Sequence, residues 1–487
     1  MEEKSLDLRW LAIPLIALTI GLGYFVQQSD FTLIIAQYAV FFLCYLLIFK
    51  YTNDKNKILF FIGVSILLRF ILVVTLPNLS DDVYRFIWDG RLLINGHNPF
   101  DFLPSHYIEN GISIAGIDQS LFEKLNSPEY FTIYPPVAQG VFALSCWLFP
   151  NSILGSAITM KVFLFLCELG SLFFIKKLLE RFQLPLKNIL IYALNPLIII
   201  ELCGNLHFEA AMIFFLLMAV YFLSFGVYSK SHKVTSSHLV TKATTSIWES
   251  NLIDLKKDLK LSPQYLILSA IAMALSIASK LLPLIFLPFL IKRLGWKKSF
   301  QYFVITGIVI VLLFLPLLNG VFIDNFGKSL DLYFQKFEFN ASIYYLVRWI
   351  GFQRVGYNWI QEAGPALAVI VLLGILTKAF FERKSDWINL FEGMLFAICL
   401  YLAMATIVHP WYVSLPIVLC LFTRFRFPVV WSGVVFLTYI NYSYAEYVEN
   451  LWMVGVEYIL VFGYFVYELF FEYRTRNKEQ RMSKFVE

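Results

Sequence analysis

Charge is scarce in this chain. Only 15% of its 487 residues are Asp, Glu, Lys or Arg, while 59% are apolar, and the mean hydropathy is +0.69. So few charges cannot cover a soluble domain of this size, so the chain is an integral membrane protein. Ten-residue segments of alternating polarity are absent, which excludes a transmembrane β-barrel. Cysteine is sparse too. Cys44, Cys146, Cys167, Cys203, Cys399 and Cys420 lie in or beside apolar segments without CxxC spacing, so they read as small apolar side chains, neither disulfides nor metal ligands. Lys4 and Arg9 precede an apolar run with no small-residue cleavage site, so that run is a first membrane helix and not a signal peptide. The net charge of +5 is small for this length and points to no nucleic-acid partner. No internal repeat appears.

What is present is a succession of apolar runs, most of them near the twenty residues a helix needs to cross a bilayer. They fall at about 9–26, 31–50, 57–76, 154–176, 187–203, 208–226, 263–280, 281–291, 300–318, 364–381, 387–407, 411–423, 427–446 and 451–472. The expected fold is therefore an all-α polytopic bundle of about 13–14 transmembrane helices. Lys and Arg collect in loops 50–57, 176–187, 227–262, 292–298, 378–384 and 424–426 and in the tail after Arg474. Placing these in the cytoplasm puts both termini inside. Parity then requires Val137–Phe149, opened by Tyr134-Pro-Pro136, to be re-entrant or interfacial. The chain divides into an N-terminal hairpin (1–56), a core with a large polar loop at 77–153 (57–226), a cytoplasmic linker (227–262) and a C-terminal part (263–487).

The loop at 77–153 opens on Ser80-Asp-Asp-Val-Tyr-Arg-Phe-Ile-Trp-Asp-Gly90, about one turn beyond a span. Its apolar and charged residues alternate at helical spacing, as in a helix lying on a membrane surface. Charge at this depth is expensive, and an ionisable group there marks function by default. The orientation brings further polar groups to the same face: Glu201, Asn205, His207 and Glu209; Lys280; Asn340, Ser342 and Arg348; His409, Trp411 and Tyr412. Each has a plainer reading. Lys280 alone is a snorkelling anchor, Trp411 and Tyr412 an interfacial belt, and Glu201 to Glu209 a pair of helix caps. Their gathering on one face favours a site at the membrane surface.

Such a set suits group transfer from a lipid-linked phosphate. Asp81 or Asp82 can act as general base on an acceptor hydroxyl. Lys280, His409, Arg85 and Arg91 can hold the phosphate, and Tyr134, Asn205, His207, Glu209, Asn340, Trp411 and Tyr412 can line the sugar. In-line displacement at the anomeric carbon inverts it. The residues establish no cofactor. Two adjacent carboxylates can also bind a divalent cation, and no other metal site is read.

The order of motifs is itself informative. The Asp81-Asp82 stretch with Gly96-His-Asn-Pro-Phe100 is followed by Tyr134-Pro-Pro136, then Asn195-Pro196. Next come Gly204-Asn-Leu-His-Phe-Glu209, Lys280-Leu-Leu-Pro283, Phe339-Asn-Ala-Ser342 and His409-Pro-Trp-Tyr412. This series resembles the GT-C superfamily of membrane glycosyltransferases, and most of all the bacterial polyprenyl-phosphate-mannose-dependent mannosyltransferases. The resemblance implies a GT-C-like bundle and a base at Asp81 or Asp82, Asp81 slightly preferred. It also implies donor-phosphate contacts at Lys280 and His409. A polyprenyl-phosphate sugar donor, a glycolipid or glycan acceptor and membrane lipid would be the partners, in an inner membrane with the site facing the periplasm. Two spans precede the helix leading into the Asp loop, where the usual pattern has one. The rival reading, a transporter or flippase of lipid-linked sugars, would show repeat symmetry and charges deep in the bundle; the repeat is missing.

Overall fold

A computed structural model describes residues 7–225, 262–335, 337–383, 385–444 and 448–483. The linker read at 227–262 lies almost entirely outside the described residues. Among the described residues every regular element is helical, with only isolated bridges such as Phe339 to Ile407. The chain is an all-α polytopic membrane protein.

The N-terminal hairpin is α1 (Ala12–Ile20) and α2 (Phe31–Tyr51), followed by α3 (Lys55–Val73), which leads into the polar loop. That loop contains α4 (Asp82–Ile94), α5 (Pro104–Glu109), α6 (Gln119–Phe122) and α7 (Pro136–Leu148). Then follow α8 (Ile153–Arg181), α9 (Leu190–Ala193), α10 (Glu209–Phe225), α11 (Pro263–Ser279) and α12 (Pro288–Phe314). The remainder is α13 (Phe322–Gln335), α14 (Ile343–Val355), α15 (Ile360–Phe381), α16 (Trp387–Met404), α17 (Ser414–Cys420), α18 (Phe427–Val434) and α19 (Leu451–Ser483). Among the described residues seven helices are long and apolar enough to span a membrane. The other runs read from the sequence are shorter apolar helices or pieces broken by proline and glycine. The runs at 281–291 and 300–318 join in α12, which breaks at Gly295 (φ 73°, ψ 160°), a left-handed position that glycine takes without strain.

Local chemistry starts the helices where it does. Asp54 caps α3 by accepting from Lys57 N at 2.9 Å, Ser152 caps α8 and Asp386 caps α16. Asp81 stands at the same N-cap position of α4, yet its side chain makes no capping bond. Pro196 breaks the span before α10 into two pieces, Leu186–Ala193 and Ile198–Gly204, bent by 56°. Three side chains hold the break. Asn195 accepts from Leu197 N and donates to Ser432 Oγ at 2.9 Å. Arg69 donates to the freed carbonyl of Ala193 at 2.7 Å while pairing with Glu168 at 2.9 Å, both side chains fully buried.

The spacing in α4 predicts a surface helix with one solvated face, and the structure covers that face. Arg85, Asp89, Arg91 and their apolar neighbours are all buried. The loop that follows supplies the partners that water would otherwise provide, so the helix can be amphipathic and enclosed at once. On its other side α4 meets α7 so closely that a Cβ on Gly90 would lie 2.5 Å from the Phe142 carbonyl oxygen.

Candidate functional site

The site forms at one end of the bundle, where α3, α11 and α16 finish and α4 and α10 begin. Asp81 and Asp82 sit at the N-terminus of α4, where the helix dipole favours negative charge. Asp81 is withheld from capping because Asn126 takes both carboxylates. Its Nδ2 donates to Asp81 Oδ1 at 2.8 Å and to Asp82 Oδ1 at 2.9 Å. Tyr134 donates its hydroxyl to Asp82 Oδ2 at 3.1 Å. Burial, and then the neighbouring charge of Asp82, pushes Asp81 up to about 6 from 3.8.

The broken helix delivers the next group. After the turn at Leu206 (φ 67°), His207 Nε2 lies 3.9 Å from Asp82 Oδ2. Its Nδ1 faces the Glu201 carbonyl at 2.9 Å and the Glu201 carboxylate at 3.2 Å. Tyr439 donates to Glu201 Oε1 at 2.8 Å and Asn205 to Oε2 at 3.0 Å. Lys280, at the end of α11, lies 3.2 Å from Glu209 Oε1 and 5.0 Å over the Tyr134 ring. The pair is an ion contact without a well-directed hydrogen bond, since neither oxygen of the buried Glu209 finds a donor.

The His409 turn closes the group. Trp411 stacks on His207 at 3.7 Å and on His409 at 4.4 Å, nearly parallel to both, and Tyr412 stands edge-on to His409 at 5.4 Å. Burial above all pushes His409 down to about 3, with Asp82 opposing and His207 and Lys280 reinforcing. A neutral imidazole with its Nδ1 unpartnered can donate or accept one hydrogen bond to an incoming group.

Thus Asp81, Asp82, Tyr134, Asn205, His207, Glu209, Lys280, His409, Trp411 and Tyr412, read from separate loops, come together. Of the residues assigned to phosphate or sugar, three do not. Arg85 bonds Asp89 at 2.9 Å and the carbonyls of Ser127 and Tyr130 at 3.0 and 2.8 Å, and Arg91 bonds the Gly116 carbonyl at 2.6 Å. Both guanidiniums pin the loop over α4, and Arg85 thereby seats the segment that carries Asn126. Asn340 donates to Glu457 at 3.2 Å and sits beside the bridge that joins Phe339 to Ile407, beneath the His409 turn. Asn126, Glu201 and Tyr439 are the additions. An Asn in a long polar loop and a Tyr in an apolar helix give no signal in a sequence, whereas Glu201 stood in the right cluster.

Among the described residues no three of His, Cys, Asp and Glu gather to hold a metal ion. Asn126 and Tyr134 already give hydrogen bonds to three of the four Asp81 and Asp82 oxygens. The donor set therefore fits a resident cation poorly.

Among curated proteins none matches the chain. Residues 21–295 match the family model described as Alpha-(1->6)-mannopyranosyltransferase, N-terminal domain. That stretch is more than half of the chain and contains Asp81, Asp82, Tyr134, His207 and Lys280. The chain belongs to the alpha-(1->6)-mannopyranosyltransferase family and is a membrane-embedded glycosyltransferase.

Proposed function

We propose that the protein moves mannose from a polyprenyl-phosphate donor to a hydroxyl of a glycan or glycolipid, at the outer face of the membrane and with inversion. The observation that carries this reading is the meeting of the Asp81–Asp82 pair with Lys280 and His409 at one end of an apolar bundle. A carboxylate there can take the acceptor proton while a cation and a neutral imidazole receive the charge that grows on the leaving phosphate.

Within the pair the geometry favours Asp82 as base. Burial, and then the charge of Asp82, favours the protonated form of Asp81, while Asp82 is oriented by two donors, Asn126 and Tyr134, and faces His207. Lys280 is the amine of the group, and its three N–H donors on a compact head suit a phosphate. Trp411 and Tyr412 offer flat faces for the sugar ring. The opposite end of the bundle supports the orientation. Lys187 there bonds Lys50 and Asn53, and Arg293 bonds Glu382, joining the basic loops that the positive-inside rule assigns to the cytoplasm.

The test uses the full chain in nanodiscs with a short-chain polyprenyl-phosphate mannose and a synthetic alkyl mannoside as acceptor. Release of polyprenyl phosphate is followed, and the anomeric configuration of the product is compared with that of the donor. Expected are release and inversion, with Asp82→Asn inactive while donor still binds. Retention would refute in-line displacement, and unchanged release by Asp82→Asn and by Asp81→Asn would refute the base. Vesicles with a membrane-impermeant acceptor on one side only then report the face at which transfer occurs.

A further inference from the structure

The turn after the broken helix sets one imidazole between two carboxylates. His207 Nδ1 has two acceptors, the Glu201 carbonyl at 2.9 Å and its carboxylate at 3.2 Å. Two acceptors at one ring nitrogen place the proton there and leave a lone pair on the other. That other nitrogen, Nε2, is buried, has no hydrogen-bond partner and lies 3.9 Å from Asp82 Oδ2. The ring cannot easily turn. Trp411 covers one face at 3.7 Å, and Glu201 is itself held by Tyr439 and Asn205. A buried lone pair aimed at a carboxylate is costly to keep unless it is used.

We infer that His207 takes over from Asp82 the proton removed from the acceptor, with Glu201 holding the resulting imidazolium. The inference rests on the transfer reading above. As the bond from the acceptor oxygen to the anomeric carbon forms, the bond from that carbon to the phosphate oxygen breaks, and its electron pair leaves with the phosphate. The acceptor proton passes to Asp82 Oδ2 and from there to His207 Nε2, by a small side-chain movement or through one water. Asp82 regains its charge for the next turnover. The proton then departs on the released polyprenyl phosphate, whose monoester ionises again near neutral pH. Two residues thus divide the work: Asp82 touches the reacting hydroxyl, and His207 clears it.

The charged and titratable groups around His207 come from every wall of the site. Asp81 and Asp82 lie at the start of α4, Glu201, Tyr439 and Glu209 lie behind and beside it, Lys280 ends α11, and His409 is across Trp411. Glu201 is the anion in direct contact with the ring, so its removal has a signed consequence. An imidazolium without Glu201 loses its proton more readily, so the acidic limb of a pH–rate profile that reports His207 moves to lower pH.

The experiment measures kcat and kcat/KM for polyprenyl-phosphate release against pH in nanodiscs, for wild type, His207→Asn and Glu201→Gln, with thermal unfolding and donor binding for each. His207→Asn keeps an amide that can donate to the Glu201 carbonyl and removes the atom facing Asp82. Its expected result is a loss of about 10²-fold in kcat with donor binding and Tm near wild type. For Glu201→Gln the acidic limb is expected to move to lower pH, a movement that a purely structural role would not produce. A profile unmoved by Glu201→Gln, or wild-type kcat in His207→Asn, would overturn the inference. If His207→Asn does not fold, the shift in Glu201→Gln alone decides. Wild-type protein that releases no polyprenyl phosphate would refute the donor reading instead, and the two failures are distinct.

Discussion

Lys280→Gln isolates the ion pair at the heart of the site. The Glu209 side chain is fully buried, the Lys280 side chain is 15% exposed, and they lie 3.2 Å apart. Neither Glu209 oxygen has a hydrogen bond to fall back on. Removing one partner of a buried pair leaves the other charge uncompensated, which costs about 3–5 kcal/mol. Because Lys280 retains some contact with solvent, the lower end, about 3 kcal/mol, is the expected loss. The double variant Lys280→Gln with Glu209→Gln removes both charges and should return stability to within about 1 kcal/mol of wild type. Activity should not return with it. If Lys280 carries the donor phosphate, both variants lose about 10²–10³-fold in kcat, the scale of deleting one electrostatic stabiliser of developing charge. Thermal unfolding in nanodiscs and polyprenyl-phosphate release give the two readouts. A double variant that transfers mannose at the wild-type rate would refute the phosphate role and leave Lys280 a structural partner of Glu209. A single variant as stable as wild type would refute the reasoning about the buried charge.

Three further outcomes are expected. Asp81 is pushed up to about 6 against 3.8 in an unfolded chain, so its charge weakens the fold above about pH 6 and that penalty is gone below about pH 4. Asp81→Asn should therefore raise Tm at pH 7.5 and leave it unchanged at pH 4; an equal rise at both would contradict the assignment. Gly90→Ala places a methyl group 2.5 Å from the Phe142 carbonyl oxygen and 2.8 Å from Cys146 Sγ. Forcing α4 from α7 should cost about 1–3 kcal/mol by thermal unfolding, and a neutral substitution would show that the two helices part freely. Treatment with EDTA should leave release unchanged, since the carboxylate pair is already served by Asn126 and Tyr134. Loss of activity that added magnesium or manganese restores would establish a metal step.

The helical fold was legible because apolar runs of membrane length have a single solution for their backbone groups, hydrogen bonding within the segment. The break at Pro196 was missed: 187–203 read as one apolar run, because the local pattern does not say whether the structure bends or kinks where proline removes a donor. The site was half legible. Asp81, Asp82, Lys280 and His409 stand out because a charged or polar group beside an apolar run needs a reason. The same rule misjudged Arg85 and Arg91: a buried guanidinium needs carbonyl partners as much as it suits phosphate, and here the loop over α4 supplies them.

By itself the amino-acid sequence determined the class of molecule, the series of spans and the few loops in which chemistry could reside. These depend on composition and on spacing along one segment. Only the tertiary structure decided which of those loops meet and which atoms face one another. Asn126 reaches from 44 and 45 residues away to bind Asp82 and Asp81, and Tyr439 reaches 238 residues to hold Glu201. His207 gains its meaning from a bend of 56° that turns it toward Asp82. Contacts of that range arise from the packing of whole helices, which no local pattern encodes.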